Sequence, residues 1–384
     1  MFLDKVIKYN KQLIEFAFNA HNQGMVNPDT YIIDYDYFVD NARQMLECAN
    51  EKNIDLYYML KQVGRNPMLA KTLEEIGYKG AVAVDFKEAE ILMNNNCHIC
   101  NLGHLVQTPK HMLEKFITYG VDYITVYSIE KIIEINNICK KHNIKQKLMI
   151  KLLEDASLGY SGQTSGFKND ELQDLVSQIK DLSYVEIKGL TAFPCFLYDY
   201  KSNEIVETEN MHNLLKAKDI LQDEGIHIEN VNAPSVTCTE TLNKMNKLKV
   251  NSAEPGHGLT GSTPFHAVND TYEKPCVVYM SEVSHQYENC SYFYGGGFYR
   301  RGHFNNAIVG TNINDYKIYE VQLPDLDSID YYFNIKDKLD VSSTVIASFR
   351  FQIFVTRSDV CIVKGLHSNN IEILGTYDSL GRLK

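Results

Sequence analysis

The chain reads Leu56-Tyr57-Tyr58-Met59-Leu60-Lys61 at residues 56–61, a run of five apolar or aromatic residues that ends in a lysine. A short apolar run of this kind is typical of a strand that is buried on both faces. Similar runs recur, separated mostly by longer segments of helical periodicity, at residues 31–34, 80–84, 98–102, 123–126, 147–152, 186–190, 228–231 and 248–250. This alternation predicts consecutive βα units and a parallel sheet.

The strand count predicts a closed barrel with one strand left over. The nine runs are one more than an eight-stranded barrel needs, so a barrel that begins at Leu56 leaves the strand at residues 31–34 to pair elsewhere. After about Val268 the runs become short, rich in β-branched and aromatic residues, and free of helical periodicity. We therefore predict an α/β fold, a TIM (β/α)8 barrel at residues 36–267 with a C-terminal all-β domain at 268–384. Residues 1–35 are predicted to form a helix and a strand that pack on the β domain.

Composition and charge narrow the range of partners. The 384 residues carry a net charge of -11, which disfavours contacts with a phosphate backbone, so we expect no nucleic-acid partner. We find neither a signal peptide nor an apolar run long enough to span a bilayer, so we expect no membrane partner. The nine scattered cysteines then indicate reduced thiols in a cytoplasm.

Cys97-His98-Ile99-Cys100 is the one motif with the spacing of a metal or redox site. It could be half of a zinc site or a redox pair. No second CxxC follows, and residues 98–102 read as a short buried strand. We therefore expect no metal site.

Lys61 is the first candidate functional residue, because barrel enzymes place their chemistry at the C-terminal ends of the strands. A partly desolvated amine has a lowered pKa and is a competent nucleophile toward a carbonyl. The alternative is a solvated lysine without a chemical role.

Two turns suit a phosphate group. Asn232-Ala233-Pro234-Ser235-Val236-Thr237 follows the seventh barrel strand, and the segment at 251–261, with Gly256, Gly258 and Gly261, follows the eighth. Glycines allow close approach of backbone amides, and phosphate sites after strands seven and eight recur in such barrels. The alternative is that both segments are ordinary caps and turns.

Together these features resemble the fold-type III pyridoxal-phosphate (PLP) enzymes. The shared set is Lys61 after the first barrel strand, a turn with Ser235 after the seventh, and Pro255-Gly256 after the eighth. That group includes alanine racemase, eukaryotic-type ornithine decarboxylase and D-threonine aldolase. The chain also resembles them in layout, and over nearly its whole length it is most similar to the alanine racemase-like group called YhfX.

The resemblance implies a role for each matched position. Lys61 corresponds to the lysine that carries PLP as a Schiff base, while Ser235, Gly256 and His257 correspond to contacts with the cofactor phosphate. Arg65 stands where alanine racemase has a tyrosine that also touches the phosphate, and an arginine could make that contact bidentately.

Glu254 departs from alanine racemase, which has an arginine before the Pro-Gly pair, and matches ornithine decarboxylase. A buried carboxylate against the pyridine nitrogen favours the protonated ring, which is the better electron sink for a carbanion at the substrate α-carbon. The alternative is an exposed glutamate before a turn.

The β domain contributes two further candidates. Tyr294-Gly295 resembles the Tyr-Gly that brings the second acid/base of alanine racemase into the site from the partner subunit, although it could equally belong to a glycine-rich hairpin with packed aromatic residues. Arg357 resembles the substrate-binding residue that clamps a carboxylate across the dimer.

The leading interpretation is a PLP-dependent amino-acid racemase or epimerase, an isomerase that acts on a small amino-acid substrate. Lys61, through its aldimine, and Tyr294 would transfer protons on opposite faces. The resemblance also implies a homodimer. A PLP-dependent decarboxylase, lyase or aldolase on the same scaffold, or a non-catalytic PLP-binding protein, remains the alternative.

Overall fold

A computed structural model describes residues 1–368 and 370–384. Its helices, in chain order, are α1 (Phe2–Tyr9), α2 (Lys11–Asn22), α3 (Tyr35–Asn50), α4 (Pro67–Ile76), α5 (Phe86–Asn94), α6 (Lys110–Tyr119), α7 (Ile129–His142), α8 (Leu172–Ile179), α9 (Glu209–Asp223), α10 (Thr239–Met245) and α11 (Pro264–Val268). No helix among the described residues is both long enough and apolar enough to cross a bilayer.

The strands, in the same order, are β1 (Thr30–Asp34), β2 (Asp55–Tyr58), β3 (Gly80–Ala83), β4 (Ile99–Leu102), β5 (Tyr123–Val126), β6 (Gln146–Leu152), β7 (Val185–Ala192), β8 (Phe196–Asp199), β9 (Glu204–Glu207), β10 (Asn230–Asn232), β11 (Ser252–Ala253), β12 (Val277–Tyr287), β13 (Cys290–Tyr294), β14 (Asn306–Asn312), β15 (Asp315–Glu320), β16 (Tyr332–Ile335), β17 (Thr344–Ala347), β18 (Asp359–Lys364) and β19 (Glu372–Asp378). They fall into two compact units of the chain.

The unit formed by Met45–Leu60 and Pro67–Gly256 contains a closed parallel barrel. Its strands follow the order β2-β3-β4-β5-β6-β7-β10-β11, and β11 closes the ring by pairing Ser252 with Asp55 and Ala253 with Leu56. The eight-stranded barrel that begins near Leu56 is therefore confirmed. The connection from β7 to α9 also holds the small antiparallel hairpin β8-β9.

The barrel interior is partly polar, and its side chains satisfy one another. Thr191 donates to Asn232, whose amide donates to Ser252 Oγ at 3.1 Å. Ser252 in turn donates to Asn230 Oδ1, and the amide of Asn230 donates to the Tyr57 hydroxyl at 2.7 Å. Because each of these five side chains finds a partner in the network, they do not destabilise the strands.

The second unit consists of Met1–Gln44, Lys61–Asn66 and His257–Lys384. Its mostly antiparallel sheet has nine strands among the described residues, in the order β15-β14-β17-β12-β1-β18-β19, with β13 on β12 and β16 on β13. The leftover strand β1 pairs antiparallel with β12 and parallel with β18, as the strand count predicts. Helix α2 buries Leu13, Ile14 and Phe18 in the apolar cluster on this sheet.

The C-terminal all-β region is confirmed together with the fold class. The two units divide the chain at 44/45 and 256/257 and assign residues 61–66 to the unit that holds the antiparallel sheet. The domain limits at residues 35 and 267 stay predictions.

Candidate active site

A buried histidine and glutamate form a pair at the C-terminal end of the barrel. His104 lies two residues after β4, and Glu254 directly follows β11. His104 Nδ1 is 3.1 Å from Glu254 Oε1, and each side chain is only 1% exposed. The alternative of Glu254 as an exposed residue before a turn is therefore wrong.

Each member of the pair keeps one polar atom without a partner. Glu254 Oε2 and His104 Nε2 are buried, and neither has a hydrogen-bond partner in the described part of the chain. Buried polar atoms are nearly always satisfied, so such atoms indicate a group that binds there. Glu254 Oε2 is an acceptor that lacks a donor, which is what a protonated pyridine nitrogen supplies.

Lys151, near the end of β6, is a buried amine that our sequence interpretation missed. Its Nζ lies 3.2 Å from Ser165 Oγ and 4.8 Å from the centre of the Tyr127 ring. Burial lowers the pKa of Lys151 to about 8, and the charge of Glu254 partly opposes this shift. The signal that singled out Lys61, a lysine after apolar strand residues, also marks Lys151.

Lys61 lies three residues after β2 and opens a short 3-10 helix, Lys61–Val63, where it is partly buried. Arg65 follows in a left-handed conformation, with φ of 55°. Its side chain is buried, and its guanidinium carbon lies 5.3 Å from the centre of the Phe354 ring. The roles of Lys61 and Arg65 in cofactor binding stay predictions.

His257 is buried and held on both sides of its ring. Nδ1 lies 3.1 Å from Ser262 Oγ, and Nε2 lies 3.2 Å from the amide nitrogen of Gln352. Burial, together with the charges of Arg350 and Lys61, holds the pKa of His257 well below its usual range. The ring is therefore neutral: Nε2 accepts from Gln352, and Nδ1 donates to Ser262. A phosphate contact at this position would depend on the backbone rather than on a charged imidazole.

The two turns predicted for phosphate follow neighbouring strands. β10 and β11 pair at Asn232 and Ser252, so Ser235 and Gly256 leave adjacent strands at the same end of the barrel. Ser235 and the next residue, Val236, both have positive φ, at 100° and 51°. Their role in phosphate binding stays a prediction.

Tyr294 and Arg357 lie on neighbouring segments of the sheet unit. Tyr294 ends β13 and is 39% exposed, and the Arg357 backbone N–H donates to Gly296 O at 2.7 Å. The Arg357 guanidinium donates to the carbonyls of Ile329 and Asp330 at 3.2 and 3.3 Å. The two candidates for substrate contact thus share one surface region.

Asp29 supports this region and was missed by the sequence interpretation. Its Oδ1 accepts hydrogen bonds from the Tyr279 hydroxyl at 2.9 Å and from Ser358 Oγ at 2.5 Å. Burial raises the pKa of Asp29, while these two hydrogen bonds oppose the shift. With Tyr294, Asp29 lines a cavity of about 610 Å³. No local sequence pattern marks Asp29, because its partners lie far along the chain.

Two family models match the chain. Residues 33–264 match the alanine racemase N-terminal domain, and residues 278–373 match the YhfX-like C-terminal domain. The chain therefore belongs to the alanine racemase-like family of fold-type III enzymes, which is PLP-dependent.

A curated relative is of the YhfX kind. The chain is 41% identical over 383 residues to the protein YhfX of Escherichia coli (strain K12), covering 99% of both sequences. Among solved structures it resembles D-threonine aldolase from Filomicrobium marinum, with a TM-score of 0.68, 15% identity, and 93% and 95% of the two chains covered. It also resembles alanine racemase of Clostridium difficile 630 in complex with cycloserine, with a TM-score of 0.66, 18% identity, and coverage of 92% and 99%. At these identities the likeness shows the fold.

Proposed function

We propose that the chain is a PLP-dependent amino-acid racemase or epimerase that acts as a homodimer in the cytoplasm. The observation that carries this proposal is the buried, unpartnered Oε2 of Glu254. A buried carboxylate oxygen without a partner needs a charged or neutral hydrogen-bond donor, and the protonated ring nitrogen of PLP is such a donor.

Each residue that would hold the cofactor follows a barrel strand in the sequence, after the strand's C-terminal end. Lys61 would bind it covalently through Nζ, and Glu254 Oε2 would accept a hydrogen bond from its ring nitrogen. The turns with Ser235 and Gly256, together with Arg65, would contact its phosphate. When bound, PLP supplies an electron sink for the α-carbon of an amino acid.

Inversion at a carbon centre needs one proton-transfer group on each face. Lys61 Nζ would hold or release the proton on one face, and the Tyr294 hydroxyl would do so on the other. Tyr294 ends its strand with an exposed side chain, which suits delivery into a partner subunit's site. Arg357, beside it, would fix the substrate carboxylate and so orient the α-carbon.

Glu254 also supports a second function, cleavage or elimination at the substrate β-carbon. A protonated ring stabilises any carbanion at the α-carbon, including those of aldolases and dehydratases. The likeness to the D-threonine aldolase structure is compatible with such chemistry. The two functions differ in product, since only the second releases a carbonyl compound.

Single enantiomers of a panel of amino acids, incubated with the purified holoenzyme in heavy water, would test the proposal. We expect deuterium at the α-carbon together with inversion, measured by NMR and chiral chromatography. A carbonyl product without inversion would favour the second function. Neither exchange nor product with any amino acid would contradict both.

Borohydride reduction and peptide mapping would test the cofactor lysine separately. We expect the reduced cofactor to be attached to Lys61. We also expect Lys61→Ala to lose the visible absorption band. Lys151, the other lysine near the end of a barrel strand, is the matched control. Attachment of the reduced cofactor to Lys151 would overturn the proposal that Lys61 carries it.

A further inference from the structure

A histidine, a cysteine and an aspartate come together at the N-terminal end of the barrel. One ligand atom of each of His98, Cys100 and Asp122 lies within 4.8 Å of the other two. The strands here are parallel, so this cluster lies at the opposite end of the barrel from His104 and Glu254. None of these three residues takes part in the proposed function.

The topology explains the cluster. His98 directly precedes β4 and Cys100 lies within it; being two residues apart, their side chains point to the same side. Asp122 directly precedes the neighbouring strand β5, and its backbone N–H donates to Ile99 O at 3.1 Å. Cys97 has the opposite orientation and lies 3.8 Å from Asn95 O. The side chains that come together here therefore do not follow the CxxC spacing noted in the sequence.

We propose that His98, Cys100 and Asp122 form a zinc site with one coordination position open to solvent. Imidazole, thiolate and carboxylate are the ligands that Zn²⁺ takes in proteins, and three of them leave a fourth tetrahedral position for water. One thiolate and one carboxylate balance the charge of the ion. On binding, the Cys100 thiol proton leaves to solvent as the sulfur–metal bond forms.

The three side chains are close enough together for a small ion to bind between them after a slight shift. His98 Nε2 and Asp122 Oδ2 are hydrogen-bonded at 2.8 Å, and a bound ion would replace this hydrogen bond. Their side chains are 46% and 43% exposed, whereas Cys100 is buried. A buried sulfur with two accessible ligands above it gives the ion a path of entry. The backbone N–H of His98 is fixed by Glu74 Oε1 at 2.6 Å, so the imidazole starts from a defined position.

Gly80 on β3 keeps the room that the two ligands of β4 occupy. A Cβ at this position, where φ is 151°, would lie 2.7 Å from His98 Cδ2 and 2.8 Å from Cys100 Sγ. Any larger residue would force both ligands to shift from these positions. Gly80 therefore permits the close approach of the two ligands to their neighbouring strand.

The surroundings also tolerate a cation. The cluster borders a cavity of about 570 Å³ that is also lined by Lys79, Lys145 and Lys147. Each lysine is paired with a carboxylate, of Asp55, Glu186 and Glu229 respectively, at 3.4, 2.8 and 2.7 Å. Their charges are therefore largely compensated at the site.

Zinc binding to the full-length holoenzyme, freed of any polyhistidine tag and treated with chelator, would test the proposal. After equilibrium dialysis against Zn²⁺ we expect one tightly held zinc per chain by mass spectrometry. X-ray absorption should show one sulfur at about 2.3 Å and nitrogen or oxygen ligands at about 2.0–2.1 Å. A spectrum without sulfur, or zinc well below one per chain, would overturn the site.

Variants separate this cluster from other zinc-binding groups. Cys100→Ser should remove the sulfur and weaken zinc binding by at least about 100-fold, since even outer-shell substitutions cost about 10–100-fold. Cys97→Ser is the matched control and should bind as the wild type does. Asp122→Asn and His98→Ala change exposed side chains, so they keep the test valid should Cys100→Ser not fold. Unchanged zinc affinity in both would equally overturn the site.

Discussion

His104 Nδ1 and Glu254 Oε1 lie 3.1 Å apart in a part of the barrel where both side chains are 1% exposed. Burial of a carboxylate is unfavourable unless hydrogen bonds or opposite charge compensate it. His104 satisfies one oxygen of Glu254, and the other oxygen stays available for a ligand. The pair thus positions an acceptor at the place where the proposed cofactor ring would lie.

Glu254→Gln should keep the shape of this side chain and remove its charge. We expect α-proton exchange to fall by about 10- to 100-fold, because a hydrogen bond to a charged group contributes about 1.5–3 kcal/mol. Bound cofactor, measured by its absorption, should remain. Glu224→Gln, at an exposed position, serves as the control. Full activity in Glu254→Gln would contradict the role of the carboxylate.

Lys151→Met should stabilise the protein most below pH 8. Burial lowers the pKa of Lys151 from 10.5 to about 8, so below pH 8 the folded state holds a buried charge. This buried charge lowers the free energy of unfolding by about 3 kcal/mol, because each unit of pKa shift corresponds to about 1.4 kcal/mol. Between pH 8 and 10.5 the Lys151 amine stays protonated only in the unfolded chain. The wild type therefore gains stability relative to the variant as the pH rises.

Unfolding free energies of wild type and Lys151→Met at about pH 7 and about pH 10 would measure this effect. The advantage of the variant should shrink at the higher pH. Lys147→Met, on the same strand but partly exposed, should show no such change across that interval. A difference that does not depend on pH would contradict the lowered pKa.

Tyr294→Phe should lose turnover but keep cofactor. Removal of a general acid or base lowers rates by about 10²–10⁴-fold. The effect should be unequal for the two enantiomers, because the proton facing Lys61 can still exchange. Tyr332→Phe is a matched control, since it lines the same cavity and is 40% exposed against 39% for Tyr294. Equal effects of both substitutions would count against a specific role of Tyr294.

Gly296→Ala should disturb the segment that follows Tyr294. The added Cβ would lie 2.3 Å from both carboxylate oxygens of Asp29 and from Ser358 Oγ. Overpacking of this kind costs about 1–3 kcal/mol, measured as a loss of unfolding free energy. Gly159→Ala is the control, since its Cβ would meet nothing nearer than 3.7 Å. A Gly296→Ala protein as stable as the control would show that the segment adapts.

The sequence was sufficient for the barrel, the leftover strand and the β domain, because apolar runs and their periodicity report burial directly. Glu254 was also found by its place before Pro255-Gly256. Its partner His104 was not, since a contact between residues 150 positions apart leaves no local pattern. Asp29 was missed for the same reason, because its partners Tyr279 and Ser358 follow the barrel segment in the sequence. Lys151, by contrast, does have a local signal in the sequence, since it follows the apolar strand residues 148–150.

Strand β1 has a consequence for how the protein is made. It lies between β12 and β18, so a strand near the beginning of the chain has both of its neighbours near the end. During synthesis on the ribosome, the backbone N–H and C=O groups along one edge of β1 have no partner strand until residues 277–280 emerge. Those along the other edge have none until residues 359–363 emerge, although every barrel strand is by then available for folding. The nascent protein therefore exposes an unpaired strand edge until its last segment is released, and during that interval chaperone binding or aggregation should compete most strongly with folding.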